Sequence, residues 1–478
     1  MTGPTAQAAP AGGLLARVAL RFAAWSERWF PDSFMFATIA LAVAAIAAML
    51  NGTPPLSVTK SFGDGFWSLI TFTMQQAMVV VSGFVIATSP PAARLIERIA
   101  AIPGSGRAAI AFTAFLTMLV SLISWAISLI FSGLLVRAIA RRAEVGIDYR
   151  AAGAAAYLGL GATWALGLSS SAAQLQANAS SLPKPLLQIT GVIPFTETIF
   201  LWQSGAIVAA LLAAATFVAF WSAPTGANAV TAEFLGVDVR IKPELPARRI
   251  RPGDWLEYSP IPTLAIVLLG AGWLAQEFSG KNPFIALSNL NTYNFTLLML
   301  GLLLHWRPRS FLNAAANSVP ATAGLIIQYP LYGAIAAIMT TAAAAGGPSL
   351  AARLAEFFAG ISTKESFPVI MGLYSALLGF FIPSGGGKWI IEAPYVMQTA
   401  IDLKVHLGWA VQIYNSAEAL PNLINPFFML PLLGVLGIRA REIVGFTALQ
   451  LLVIGPLVLF LLWFLAGTLT YLPPAIPG

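Results

Sequence analysis

The stretch Gly379-Phe380-Phe381-Ile382-Pro383-Ser384-Gly385-Gly386-Gly387-Lys388-Trp389 places one hydroxyl, three glycine N–H groups and one ammonium in a row. These donors could hold an anion. A helix that begins just after the glycines would aim its free N–H groups and positive dipole end at the same point. The stretch lies inside a long apolar run, where a chain normally needs helix. Proline followed by three glycines does not stay helical. Irregular backbone survives at membrane depth only where protein buries it or where it lines a wet cavity. Ser384, Gly385, Gly386, Gly387, Lys388 and Trp389 are therefore substrate-binding candidates for a carboxylate. The competing reading is a tight turn whose small residues only let helices pack closely.

Lys388 and Glu392 are four residues apart and share a helix face. Either they neutralise each other, or Lys388 reaches a substrate carboxylate. Further along, Glu418 stands with Asn415, Asn422 and Asn425 between Pro421 and Pro426, the densest polar group in any apolar span. Carbonyl and amide oxygens suit Na+, and a buried carboxylate suits Na+ or a proton. Glu418, Asn422, Asn425 and Ser384 are the coupling-ion candidates, with Na+ as the metal they could hold. Asn422 can also touch substrate. In the first half, the cluster Ser169-Ser170-Ser171 with Gln174, and the polar, Trp-bearing stretch around Ser124 and Trp125, are the uncharged counterparts. Ser124, Trp125, Ser169 and Ser171 complete the substrate-binding set. Gln75, Gln76, Gln328 and Tyr329 could line the same cavity or join helices by hydrogen bonds.

Other chemistries fail on residue types. Aligning Gly387-Lys388 with a phosphate-binding loop puts Ile382 at its leading glycine and Trp389 at its closing Ser/Thr. A Ser384/Lys388 catalytic dyad lacks an oxyanion partner. There are no cysteines, and the two histidines, His305 and His406, are isolated. No catalytic residues and no organic cofactor are expected, only Na+ or H+ as a coupling ion.

The chain that carries these residues has 478 of them, 58% hydrophobic and 9% charged, with a mean hydropathy of +0.79. Apolar runs of about twenty residues recur, the mark of an all-α polytopic membrane protein. The net charge of +7 sits in short loops and reports topology rather than nucleic-acid binding. Nine spans are predicted, at about 33–50, 66–88, 151–171, 199–221, 259–276, 291–304, 319–339, 407–433 and 443–470. The apolar pieces 108–140 and 366–401 are too long for one crossing and tight for two. They read as re-entrant hairpins, within about 107–142 and 365–402. With the N-terminus inside, every basic loop falls on the inner side. The order span, span, hairpin, broken span, span occurs twice, in opposite directions. That is an inverted repeat with discontinuous helices, as secondary transporters have. The organisation predicted is an N-terminal tail and interfacial amphipathic helix over 1–32, a first repeat over 33–221, a cytoplasmic linker over 222–258, and an extra helix plus second repeat over 259–478. Asn51–Gly65 is read as a short loop.

Several ordered motifs give the chain a resemblance. They are Gly63-Asp64-Gly65-Phe66-Trp67, Trp125, Gly301-Leu302-Leu303-Leu304-His305, Ile327-Gln328-Tyr329-Pro330, Pro383-Ser384-Gly385-Gly386-Gly387 followed by Trp389, and Asn422 with Pro426-Phe427. Over nearly its whole length the chain resembles the short-chain fatty acid transporter family, the acetoacetate/butyrate permease type. That family is similar to the wider ion-transporter superfamily, with two inverted repeats, re-entrant hairpins and frequent dimers. The resemblance implies a carrier of small monocarboxylates with Na+ or H+, in the bacterial inner membrane, and a homodimer. The family usually has a neutral residue or His where Lys388 stands, and often Gln where Glu392 stands. A Gly/Ser/Pro-rich segment after Trp164 is reduced here to Ser170 and Ala173, and a Gln-Pro-Phe becomes Asn425-Pro426-Phe427. The expected function is secondary active uptake of short-chain monocarboxylates by alternating access. The alternatives are a carrier of dicarboxylates or other organic anions, a passive channel, and an intramembrane enzyme.

Overall fold

A computed structural model describes residues 28, 33–239, 251–280, 283–344, 347–382, 384–425 and 427–476. The interfacial helix expected before residue 32 lies outside them, apart from Arg28, as do Pro383, Pro426 and the middle of the linker. The described chain is helical with no strands. Besides the short helices Ser171–Gln176 and Lys184–Thr190, eight longer helices make the described first half: α1 (Ser33–Leu50), α2 (Pro55–Phe66), α3 (Ile70–Ala87), α4 (Pro90–Ala100), α5 (Gly106–Ser121), α6 (Trp125–Ala140), α7 (Tyr149–Leu158) and α8 (Trp202–Ser222). After α9 (Ile261–Phe278) come eight more: α10 (Leu290–His305), α11 (Pro308–Ser318), α12 (Ala323–Thr341), α13 (Leu350–Ile361), α14 (Phe367–Phe381), α15 (Gly385–Asp402), α16 (Leu407–Asn422) and α17 (Ala440–Ala466).

Neighbours repeat between the two sets. Helix α1 packs on α12, and its counterpart α10 packs on α3. In the same way α2 on α12 matches α11 on α3, α3 on α6 matches α12 on α15, and α4 on α6 matches α13 on α15. The contacts α5 on α7 and α5 on α8 match α14 on α16 and α14 on α17. Each half thus embraces the hairpin of its own half while its first helices cross to the other. Helix α9 has no counterpart. It is mostly exposed within the described structure, so it sits at the edge against α10.

Among the described residues six helical stretches are long and apolar enough to cross a membrane: α3, the broken run 149–176, α8, α9, α12 and α17. Shorter apolar helices occupy 37–50, 106–121, 125–140 and 367–380. The broken run is 94% buried, which puts it at the centre of the molecule. The chain is a multi-pass membrane protein.

Both expected hairpins form, although the three glycines make the first turn of the second hairpin's outgoing helix instead of preceding it. Helix α5 ends at Ser121 and α6 starts at Trp125, capped by Ser124, whose hydroxyl accepts from Ile127 N–H. Helix α14 ends at Phe381 and α15 starts at Gly385, capped by Ser384, whose hydroxyl accepts from Gly387 N–H at 3.2 Å. A serine that takes an early orphan N–H is what lets a helix start in the interior.

The stretch read as a loop over 51–65 is instead mostly helix α2. Proline stands at its first position, and its buried residues Val58, Ser61 and Gly65 fall on one face, with the charged Lys60 and Asp64 on the helix's other sides. Helices α4, α11 and α13 are amphipathic in the same way. Such helices are too polar for hydropathy to register as spans.

The described part of the linker is not free. Arg107 Nε donates to the Ala223 carbonyl at 3.4 Å, Val230 N–H to Asp148 Oδ2 at 2.9 Å, and Arg137 Nη2 to the Asp238 carbonyl at 2.7 Å. Residues 223–238 therefore strap the start of α5, the end of α6 and the start of α7 together.

Candidate functional site

In the first half, the helix that begins at Tyr149 leaves α geometry at Gly159. A π turn covers Gly159–Thr163, a 3-10 turn covers Trp164–Leu166, and α geometry resumes at Ser171. The break expected between Trp164 and Ser171 is therefore present. It binds its own hairpin: Leu168 N–H donates to the Leu122 carbonyl at 2.7 Å, and Ser169 Oγ accepts from Trp125 N–H at 2.9 Å. Ser169 thus joins the break to the hairpin tip at Trp125, beside the cap Ser124, as one unit.

The second half does the same with different atoms. Tyr414 OH donates to the Gly385 carbonyl, and Asn425 Nδ2 donates to the Phe380 carbonyl at 3.0 Å. The two units meet. Ser170 Oγ donates to Asn415 Oδ1 at 3.1 Å, and Asn422 Nδ2 reaches the Leu160 carbonyl at 3.4 Å.

Each of the three glycines is covered by an aromatic ring from a different element. A Cβ on Gly385 would strike the Trp164 ring, and one on Gly387 would strike the Tyr332 ring. On Gly386 it would lie 2.9 Å from Phe72 and 3.1 Å from Ser171 Cβ. The glycines therefore let rings from α3, α12 and the first-half break close over the start of α15, which is the packing role weighed from sequence. Trp389 is fully buried, with its ring 4.6 Å from that of Tyr414.

Lys388 and Glu392 form the pair their spacing predicts, Nζ to Oε1 at 2.8 Å. Two further contacts were not visible in the spacing. Lys388 Nζ donates to the Ser375 carbonyl at 2.9 Å and stands 2.9 Å from Glu418 Oε2. It also lies 4.2 Å from the centre of the Tyr414 ring, an attractive cation–π position. Ser375 Oγ donates to Glu392 Oε2. Lys388 and Glu392 are fully buried and Glu418 is 1% exposed. Gly379 makes room: a Cβ there would lie 2.9 Å from Glu418 Oε2 and 3.4 Å from Lys388 Cε. The cluster thus holds two carboxylates and one ammonium, with Ser375, Gly379 and Tyr414 as members that residue chemistry alone did not single out. Tyr414 lies one helical turn before Glu418, and Ser375 one turn before Gly379. Those spacings are the only sequence signal.

The coupling-ion candidates do not converge on one point. Glu418 faces the ammonium, Ser384 caps α15, Asn425 holds Phe380 and Asn422 holds Leu160. Ser171 packs against Gly386. Gln75 and Gln76 join helices, to Asn291 and Gln174 respectively, each at 2.9 Å. Gln328 accepts from Tyr332 OH at 3.0 Å. The histidines are structural. His305 bonds Ser310 and the Val85 carbonyl, and His406 caps α16.

Residues 14–465 match the family described as short chain fatty acid transporter. A protein of Escherichia coli (strain K12), provisionally named a short-chain fatty acid transporter, is 32% identical over 93% of this chain and 97% of its own. One of Haemophilus influenzae, named in the same way, is 28% identical over 95% and 100%. Two solved transporters share the fold. Neisseria gonorrhoeae MtrF, presented as one of a class of antimetabolite efflux pumps, superposes with a TM-score of 0.59 at 16% identity over 96% of this chain and all of that one. The Alcanivorax borkumensis YdaH transporter gives 0.53 at 15% over 92% and 98%. The proteins it matches are transporters rather than enzymes, and the chain belongs to the short-chain fatty acid transporter family.

Proposed function

We propose that this protein takes up short-chain monocarboxylates across a bacterial inner membrane, driven by a coupled Na+ or H+ through alternating access. Family membership supports the substrate class. The observation that carries the mechanism is the enclosed meeting of two hairpin tips with two helix breaks, one set from each half. Repeated neighbours in the two halves fit an inverted repeat, in which corresponding helices run in opposite directions and rock about a shared site.

A monocarboxylate fits the charge better than a dicarboxylate does. Among the described residues Lys388 is the one buried lysine or arginine, and it already faces two carboxylates. A second substrate charge would add a buried anion with no cation to meet it, which is costly. The rings of Trp164, Phe72 and Tyr332 at the start of α15 offer apolar surface of the kind a short hydrocarbon chain would contact.

The test is competition in proteoliposomes. Uptake of labelled acetoacetate should be inhibited by butyrate and propionate at concentrations where succinate and alanine have little effect. Stronger inhibition by succinate would replace this reading with the dicarboxylate one.

A further inference from the structure

The oxygens around Lys388 Nζ are not equivalent. Glu392 Oε1 and the Ser375 carbonyl accept hydrogen bonds, and Ser375 Oγ holds the other oxygen of Glu392. Glu418 is tied to the ammonium alone, at 2.9 Å. Apart from that ammonium, neither of its oxygens has a hydrogen-bond partner among the described residues. It comes from α16, whereas Lys388 and Glu392 share α15. The other titratable groups near it are Tyr329 and Tyr332 from α12 and Tyr414 from its own helix. Two carboxylates and a backbone carbonyl form the kind of oxygen set that holds a Na+ in carriers. Here the lysine ammonium stands in its centre.

Taking the transport reading above as given, we propose that Lys388 is a tethered cation in the place of a coupling Na+, and that the ion carried is a proton bound by Glu418. An ammonium has three N–H donors, and all three have an oxygen neighbour. A substrate carboxylate can gain one only if another contact opens. The Glu418 contact is the one that opens, because Glu418 is held by nothing else and sits on a separate helix. The Lys388–Glu418 ion pair breaks and a Lys388–substrate ion pair forms. Glu418 is then buried without a cation, and it gains a proton from the side open to water as a new O–H bond. On release at the other side the O–H bond is lost and Lys388 returns to Glu418. One proton moves with each carboxylate, no net charge crosses, and Na+ takes no part.

The experiment uses the purified full chain in proteoliposomes with labelled acetoacetate, whose keto group slows passive crossing of the neutral acid. Protein-free vesicles supply the blank. Exchange against internal unlabelled acetoacetate is measured without any gradient. Initial uptake is then measured under an inward proton gradient free of Na+, under an inward Na+ gradient at equal pH, and under an inside-negative potential alone. The proposal expects exchange, stimulation by the proton gradient, and no stimulation by Na+ or by potential. At one-to-one coupling the limiting accumulation is about tenfold for each pH unit of gradient. Glu418→Gln, which keeps a neutral side chain in place of the protonated acid, should lose proton stimulation while its exchange falls less. Its melting temperature verifies the fold. Stimulation by Na+ at equal pH, current-carrying uptake, or proton stimulation in Glu418→Gln equal to that of the parent overturns the coupling while leaving transport intact. Absence of exchange overturns the transport reading and the coupling with it.

Discussion

Lys388 Nζ and Glu418 Oε2 stand 2.9 Å apart across two helices, α15 and α16, with both side chains sealed from solvent. That contact joins the hairpin of the second half to the helix that breaks beside it.

Removing the lysine alone should therefore be worse than removing the whole cluster. Lys388→Met leaves two buried carboxylates close together, and breaking a buried ion pair from one side costs about 3–5 kcal/mol. Lys388→Met combined with Glu392→Gln and Glu418→Gln leaves no charge and should recover most of the lost thermal stability. Melting in detergent checks this. A triple variant less stable than Lys388→Met would show that the charges are not what holds these helices together.

The glycines give a graded series. Gly387→Ala drives a methyl into the Tyr332 ring and Gly385→Ala into Trp164, whereas a Cβ at Gly205 on α8 meets nothing within 4 Å. Overpacking a filled interior costs about 1–3 kcal/mol. The first two variants should melt several degrees lower and lose most uptake. Gly205→Ala should match the parent in both.

One serine supplies a side-chain tie between tip and break in the first half. Ser169→Ala strips the acceptor from Trp125 N–H, and an unsatisfied buried donor costs about 1–3 kcal/mol. Hydrogen exchange should rise at Trp125 and Leu168 first, ahead of the helices α5 and α7. Exchange that rises evenly over the whole protein would argue against a local tie.

Asp148 offers a test of the strap. Its carboxylate caps α7 through Arg150 and Ala151 N–H and also accepts from Val230 N–H. Asp148→Ala should cost about 0.5–2 kcal/mol from the cap alone. It should also make residues 223–238 sensitive to limited proteolysis. Unchanged protease resistance would mean that Arg107 and Arg137 hold the strap without it.

How far the sequence could be read follows from what each feature depends on. The Lys388–Glu392 pair was legible because helix geometry fixes neighbours four apart. The two hairpins were legible because apolar length is a local property, with basic flanks on the first and mixed ones on the second, and Ser124 and Ser384 stand where the next helices begin. The entry of Glu418 into the cluster was not legible. It requires α16 to cross α14 at Gly379, a matter of packing. The rings over Gly385–Gly387 were hidden for the same reason, since Phe72, Trp164 and Tyr332 lie in distant parts of the chain. Helices α2, α4, α11 and α13 escaped because their polar faces dilute the hydropathy that marks a span.

Counterflow tests the central claim most directly. Vesicles holding the purified protein are loaded with unlabelled butyrate and diluted into a trace of labelled butyrate, with no ion gradient imposed. A carrier with one alternately exposed site predicts a transient rise of internal label above its equilibrium level, absent from protein-free vesicles and from vesicles loaded with succinate. A monotonic approach to equilibrium, at the rate of protein-free vesicles, would contradict it.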